Sequence, residues 1–281
     1  MYWIIILIVI ILGLPFLLLA PGHASNSMKA PFYGRNFAHR GLHSEDKSVP
    51  ENSLAAFRLA VEAGYGMELD VQLSKDGRVV VFHDDTLDRV CGVHARVDEL
   101  DWSELEKLRL CGSEERMPLF GEVLELVACR EPIIVELKRG KRNKELCRKT
   151  LDMLKTYEGD TCIESFDPFI VTWFAHHAPR VLRGQLSQRP KDFRKGGISS
   201  LTAFVLGSVL FNVLARPHFI AYMIGPRPAA VRFSEALGAM PVGWTSHNPS
   251  SEEGRDAVIF EFYRPDVRYK SMPESENAEN D

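Results

Sequence analysis

Between residues 36 and 268, short apolar runs alternate with helix-patterned runs, and that alternation restricts the fold more than any other feature of the chain. The strand-like runs are "NFAHRG", "GMELDVQLS", "PIIVELK", "TCIESF", "VLRGQLS", "HFIAYMI", "PVGWTS" and "AVIFEF". Helical patterns follow most of them, at Ser53 to Ala63, Lys144 to Tyr157, Pro168 to His177 and Pro228 to Leu237. In "ENSLAAFRLAVEAG" the apolar residues recur near i, i+3, i+4 and i+7, with Asn52 or Ser53 as cap and Gly64 as stop. Eight such units in about 235 residues match the usual size of a (β/α)₈ TIM barrel of the α/β class. An open doubly wound sheet is the competing arrangement, but no GxGxxG turn follows the first strand.

One further run, "RVVVFHD", follows "MELDVQLS" after only "KDG". A parallel crossover needs about a dozen residues, so this run is expected to form a β-hairpin arm after strand 2. Asp76-Gly77 suits a two-residue type I′ loop. Pairing Lys75 with Arg78 would then set Asp70 opposite His83 and Glu68 opposite Asp85, on one sheet face.

With 281 residues, net charge −4 and pI near 6.2, the chain offers no electrostatic footprint for nucleic acid. Cys91, Cys111, Cys129, Cys147 and Cys162 are odd in number and lack CxxC spacing, so they read as free thiols in a reducing compartment. The uncharged run from Tyr2 to Ala20 is about 19 residues long, which at ~1.5 Å each nearly crosses a hydrocarbon core. It predicts a hydrophobic helix, a transmembrane anchor over 1–22, in preference to a cleaved signal peptide, because no Lys or Arg precedes it. The flanking cations Lys29, Arg35 and Arg40 follow the span, which places the body of the protein in the cytoplasm as a single-pass membrane protein. A linker over 23–35 and a disordered acidic tail over 269–281 complete the expected organisation.

A second apolar run, residues 198–215, is uncharged and long enough to span. One crossing between two barrel strands would separate the parts of the barrel across the bilayer. The run therefore reads as a helix lying on the membrane surface or as a barrel-packing helix. Arg189, Lys191, Arg194 and Lys195 precede it and would attract anionic headgroups.

Glu68 and Asp70 lie two apart on a strand and so point the same way. Glu136 repeats the situation at the end of "IIVELK". Three carboxylates at strand ends on one barrel face form the hard-oxygen set that Ca²⁺ or Mg²⁺ takes. His39 and His83 are expected at the same face, beside Arg40. Two imidazoles, a divalent cation and a guanidinium suit general acid–base catalysis of phosphoryl transfer. His94, His176, His177, His218 and His247 lack such company and read as ordinary polar or packed residues.

The motifs "AHRG", "PENSLAAF", "ELDVQLSKDGRVVVFHDDTLDR", "PLFGEVLEL", "VELK" and "VGWT" stand in an order and spacing that resemble the glycerophosphodiester phosphodiesterase family over roughly 36–265. The resemblance implies a (β/α)₈ barrel that hydrolyses glycerophosphodiesters to glycerol 3-phosphate and an alcohol with a bound divalent cation, Ca²⁺ or Mg²⁺. By motif it implies His39 and His83 as the acid/base pair and Glu68, Asp70 and Glu136 as metal ligands. Arg40 and Lys138 correspond to phosphate contacts, Glu51 to a supporting residue near Arg40, and Trp244 to the wall of the glycerol pocket. The insertion that many members carry after "HDDTLDR" is minimal here. Lysophospholipids at a membrane surface are a further expected substrate class. The competing expectation is a membrane-tethered, non-catalytic binding or scaffold protein on the same barrel. The absence of a GxSxG elbow argues against a serine lipase.

Overall fold

The computed structural model describes Tyr2 and residues 13–273. Its strands are β1 (Arg35–Ala38), β2 (Gly66–Leu73), β3 (Val79–Val81), β4 (Ile133–Leu137), β5 (Thr161–Ser165), β6 (Leu182–Ser187), β7 (Phe219–Met223), β8 (Met240–Ser246) and β9 (Ala257–Phe260). All but β3 pair in parallel, and β1 bonds to both β2 and β9, so the sheet closes into an eight-stranded barrel. Closure rules out the open doubly wound sheet.

The alternation along each strand divides the core in two. Outward-facing Met67, Leu69, Val71, Val135 and Ile163 pack beneath the helices Leu54–Glu62, Phe120–Val127, Asn143–Lys155 and Pro168–His177. Inward-facing Phe37, Ile134, Cys162, Leu182, Phe219 and Val242 fill the barrel, with Ala24 and Phe32 packed against them. The inward positions further along β2, β4 and β5 are Glu68, Asp70, Glu136 and Glu164, so the interior turns from apolar to acidic toward the strands' C-terminal ends. That is the end where (β/α)₈ barrels carry their chemistry.

The hairpin forms with a different register from the expected one. Val71 pairs with Val81 and Leu73 with Val79, and Ser74 N–H donates to Arg78 C=O (3.0 Å). The loop thus holds three residues, Lys75, Asp76 and Gly77, with Gly77 at φ +81°. Asp76-Gly77 supports this turn as well as a type I′ loop, because glycine supplies the left-handed residue of either. Ser74 Oγ donates to Asp76 Oδ1 and accepts from Arg78 N–H, which favours the longer loop. Phe82, not His83, therefore lies against Asp70, its N–H donating to Asp70 C=O (3.0 Å). His83 follows the end of β3.

The apolar run 198–215 is two short helices, Ser200–Gly207 and Asn212–Ala215, and no continuous helix. The chain turns at Ser208–Val209, where Val209 takes φ +49°. Gly207 packs so closely on Pro190 and the Gln188 carbonyl that a Cβ there would lie within 2.9 Å of both. Residues 13–19 are helical, and Leu19 packs against Val209, Ile220 and Tyr222. Most of the expected anchor at Tyr2–Ala20, and the tail beyond 273, lie outside the described residues. Among the described residues no helix is long and apolar enough to cross a membrane. The 23–35 stretch carries a helix at Asn26–Lys29, and Tyr269 N–H donates to Gly34 C=O (2.8 Å) while Lys270 pairs with Asp256 (2.7 Å).

Candidate active site

Parallel pairing sets Asp70 beside Glu136, and Glu136 beside Glu164, across β2, β4 and β5. Neighbours in register share a face, so these carboxylates converge inside the barrel with Glu68, two residues before Asp70. One oxygen each from Glu68, Asp70 and Glu136 lies within 4.8 Å of the others, and all three residues are buried. Burial and the charges of Asp70 and Glu136 push Glu68 well above the ordinary carboxylate range. Burial also raises Glu136, against the pull of the Lys138 ammonium. Asp70 goes the other way: burial would raise it, but Lys138, His83 and Arg40 together hold it well below its usual range.

Two cations sit among these acids. Lys138 Nζ lies 2.8 Å from Glu136 Oε1 and 3.2 Å from Asp70 Oδ1. Arg40 follows β1 in a left-handed conformation, φ +55°. Its N–H donates to Glu68 Oε2 (3.1 Å), its Nη1 donates to Glu51 Oε1 (2.7 Å), and its Nε lies 3.4 Å from Asp70 Oδ2. Left-handed backbone is costly for an arginine, and two hydrogen bonds and an ion-pair contact to three carboxylates over-determine it. Glu51 also receives a bidentate Arg89; burial opposes ionisation, but the two guanidiniums bring its carboxyl down to about 2.

Each expected catalytic imidazole has a carboxylate behind it. His39 Nδ1 lies 2.8 Å from Glu261 Oε2, and its Nε2 lies 4.0 Å from Glu68 Oε2. Burial lowers His39 to about 4, against the Glu261 hydrogen bond that favours the charged form. His83 Nδ1 lies 2.6 Å from Asp84 Oδ1, and Arg89 donates to both oxygens of Asp84. In both pairs Nδ1–H donates to the carboxylate, leaving Nε2 for proton traffic. Trp244 lies on β8, on another arc of the barrel. Its indole N–H donates to the Ser187 and Ala221 carbonyls, and its ring meets Phe166 edge-on at 5.4 Å.

The residues named from sequence thus fall in one place, Trp244 on its own arc. Sequence reasoning missed several others. Asn52 is not the helix cap, which is Ser53, whose side chain accepts from Ala56 N–H (3.1 Å). Asn52 instead donates its amide to Asp70 Oδ2 (2.8 Å). His247, expected to be an ordinary polar residue, stands 3.7 Å from Glu261, as does His43. For Glu261 and Asp84 the available signal was an acid late in a strand or beside a histidine, which is common on any barrel.

The acidic trio fits a hard divalent cation. Its donors are all carboxylate oxygens, and Asp70 Oδ1 is buried without a well-directed hydrogen bond even though Lys138 is near.

Residues 39–261 match the model of the glycerophosphoryl diester phosphodiesterase family. A glycerophosphodiester phosphodiesterase of Caldanaerobacter subterraneus subsp. tengcongensis is 36% identical over 54% of this chain and 65% of its own length. A human lysophospholipase D is 36% identical over 46% of this chain and 43% of its own. The chain therefore matches less than two thirds of either relative. A glycerophosphodiester phosphodiesterase structure from Thermotoga maritima superposes with TM-score 0.60 at 26% identity, covering 80% of this chain and 93% of that one. An Oleispira antarctica phosphodiesterase, in complex with its product sn-glycerol-3-phosphate, shares the fold with TM-score 0.67 at 23% identity over 81% and 93%. With the barrel closed, the motif residues gathered at its acidic end and most of the chain matched, the chain belongs to the glycerophosphoryl diester phosphodiesterase family.

Proposed function

We propose that this protein hydrolyses glycerophosphodiesters to glycerol 3-phosphate and an alcohol, with lysophospholipids as a second substrate class. The observation that carries this reading is the joint placement of a three-carboxylate cation site, two imidazole–carboxylate pairs and two cations at one barrel mouth. Glu68, Asp70 and Glu136 would hold a divalent ion, Ca²⁺ or Mg²⁺. When bound, such an ion supplies charge neutralisation and Lewis acidity at a phosphoryl oxygen.

The chain's own residues supply the rest. Arg40 and Lys138 attract the phosphate oxygens and fix the diester against the carboxylate wall. One imidazole takes a proton at Nε2 from the water that attacks phosphorus, while the other donates from Nε2 to the departing alkoxide oxygen. Glu261 and Asp84 engage Nδ1–H of the two rings, so Nε2 takes or gives the proton in each, the donating ring entering as imidazolium. Glu51, gripped by Arg40 and Arg89, ties the phosphate-binding side to the His83 side. Trp244 and Phe166 offer an apolar wall to the glycerol or the leaving alcohol.

Access from a membrane is the second part of the proposal. Phe169 (62% exposed), Leu201 (74%), Phe204 and Leu214 present apolar side chains to the exterior. Phe169 meets Phe211 at 5.6 Å, so these helices adjoin. Lys191, Arg194 and Lys195 lie on the preceding helix Pro190–Lys195. With the apolar run 2–20 as a tether, the catalytic body would sit at the cytoplasmic surface of a bilayer with this face toward it.

Product analysis tests the reaction. Purified protein supplied with sn-glycero-3-phosphocholine should release choline and glycerol 3-phosphate, and with lysophosphatidylcholine choline and lysophosphatidic acid. No release from any diester would leave the non-catalytic scaffold as the better reading. For the membrane, charge reversal at Lys191, Arg194 and Lys195 should weaken salt-sensitive binding to anionic liposomes. Unchanged binding would remove this face from the account.

A further inference from the structure

Glu164 has no part in the chemistry described above. It lies on β5, in register with Glu136 on one side and Gly184 on the other, so it faces the barrel interior between them. Glycine at 184 leaves the β6 side without a covering side chain, and the Phe219 ring fills that space. Glu164 is 1% exposed, and its Oε2 is wholly buried with no hydrogen-bond partner among the described residues. A buried, unpartnered carboxylate is costly, and a neutral residue of the same shape would avoid that cost. The nearby ammonium, Lys138, is already engaged by Glu136 and Asp70. The interior acids Glu68, Asp70, Glu136 and Glu164 outnumber the cations Arg40 and Lys138, and Arg40 is shared with Glu51.

We infer that Glu164 is a fourth anion of the cation site. It stands outside the trio whose oxygens gather within 4.8 Å, so with an ion held there it would act from outside the ligand set, its unpartnered Oε2 free to accept a hydrogen bond from a water. Its effect is to raise affinity for a dication by adding a further buried anionic oxygen beside the trio. Residues just outside a metal's ligand set typically change affinity by about 10–100-fold when removed.

The inference rests on the reading that the trio holds a divalent ion, and titration calorimetry separates the two. Metal-free protein is titrated with Ca²⁺, Mg²⁺ and Mn²⁺ in the parent, Glu136→Gln and Glu164→Gln forms. Binding to the parent with Kd raised about 10–100-fold in Glu164→Gln is the expected result. The metal-free variant should melt no lower than the metal-free parent, and its gain in Tm on adding metal should be smaller. Glu164→Met, a neutral side chain of similar volume, should weaken binding in the same way and serves if the glutamine variant does not fold. Parent binding with no change of Kd in either neutral variant overturns the role of Glu164. No binding to the parent overturns the cation reading itself.

Discussion

Glu261 Oε2 stands 2.8 Å from His39 Nδ1, although 222 residues separate them in the chain. The contact exists because β9 pairs with β1, and His39 N–H extends that ladder by donating to Phe260 C=O (2.9 Å). Barrel closure thus places a carboxylate behind an imidazole, as the neighbouring Asp84 does for His83 within two consecutive residues.

If the two pairs move protons, His39→Ala and His83→Ala should each lower kcat by roughly 10²–10⁴-fold while leaving metal binding largely intact. Glu261→Gln should lower kcat by less than His39→Ala, because the ring remains but its tautomer is no longer held. The double histidine variant should lose less than the product of the singles. Steady-state kinetics on a soluble diester checks all four, and near-normal turnover in either single histidine variant removes that residue from the mechanism.

Glu68→Gln, Asp70→Asn and Glu136→Gln each delete one anionic oxygen from the site, so each should weaken metal binding. Turnover should partly return at high metal concentration. Calorimetric titration of the three variants reads this directly, and parent-like affinity in all three would move the cation site elsewhere.

Packing below the acidic layer is tight. A Cβ at Gly184 would run into the Phe219 ring inside the barrel. Gly184→Ala should therefore destabilise the fold by about 1–3 kcal/mol through overpacking. Urea unfolding measures this, and an unchanged midpoint would mean that the ring shifts freely.

Much of this architecture was legible before the structure. The alternation of strand and helix patterns marked all nine strands, and the motifs marked the acids, the two histidines and the cations now found together. The missing parts are those that local rules leave degenerate or that depend on closure. Asp76-Gly77 serves two hairpin loops equally well, and the choice shifts every cross-strand partner by one. Glu164 within β5 and Glu261 just after β9 are single acids in apolar surroundings, and only their distant neighbours, Glu136 and His39, give them a role. Residues 198–215 read as one apolar segment because composition does not record the turn at Ser208–Val209.

His218 is buried away from the site, and its Nδ1 accepts from Arg183 N–H at 3.4 Å, which requires the neutral ring. Burial, with the charges of Arg183, Lys29 and His23, lowers it from 6.5 to about 3. Between those values the unfolded chain holds one more proton than the folded one. Stability from this residue is therefore complete above pH 6.5 and falls as the pH drops toward 3, by about 1.4 kcal/mol per pH unit. His218→Gln should flatten the acid side of the stability–pH curve, measured by urea unfolding between pH 4 and 6, by about one proton. An unchanged slope would contradict the neutral assignment.

The central claim is that a divalent ion held by Glu68, Asp70 and Glu136 is needed to cleave a glycerophosphodiester at this barrel mouth. The most direct measurement is the turnover of sn-glycero-3-phosphocholine by purified protein before EDTA treatment, after it, and after readdition of Ca²⁺ or Mg²⁺. The account predicts turnover that is lost on chelation and restored by at least one of the two ions in the parent, with Glu136→Gln needing far more metal. Turnover that survives complete chelation, or restoration equal in parent and Glu136→Gln, would contradict it.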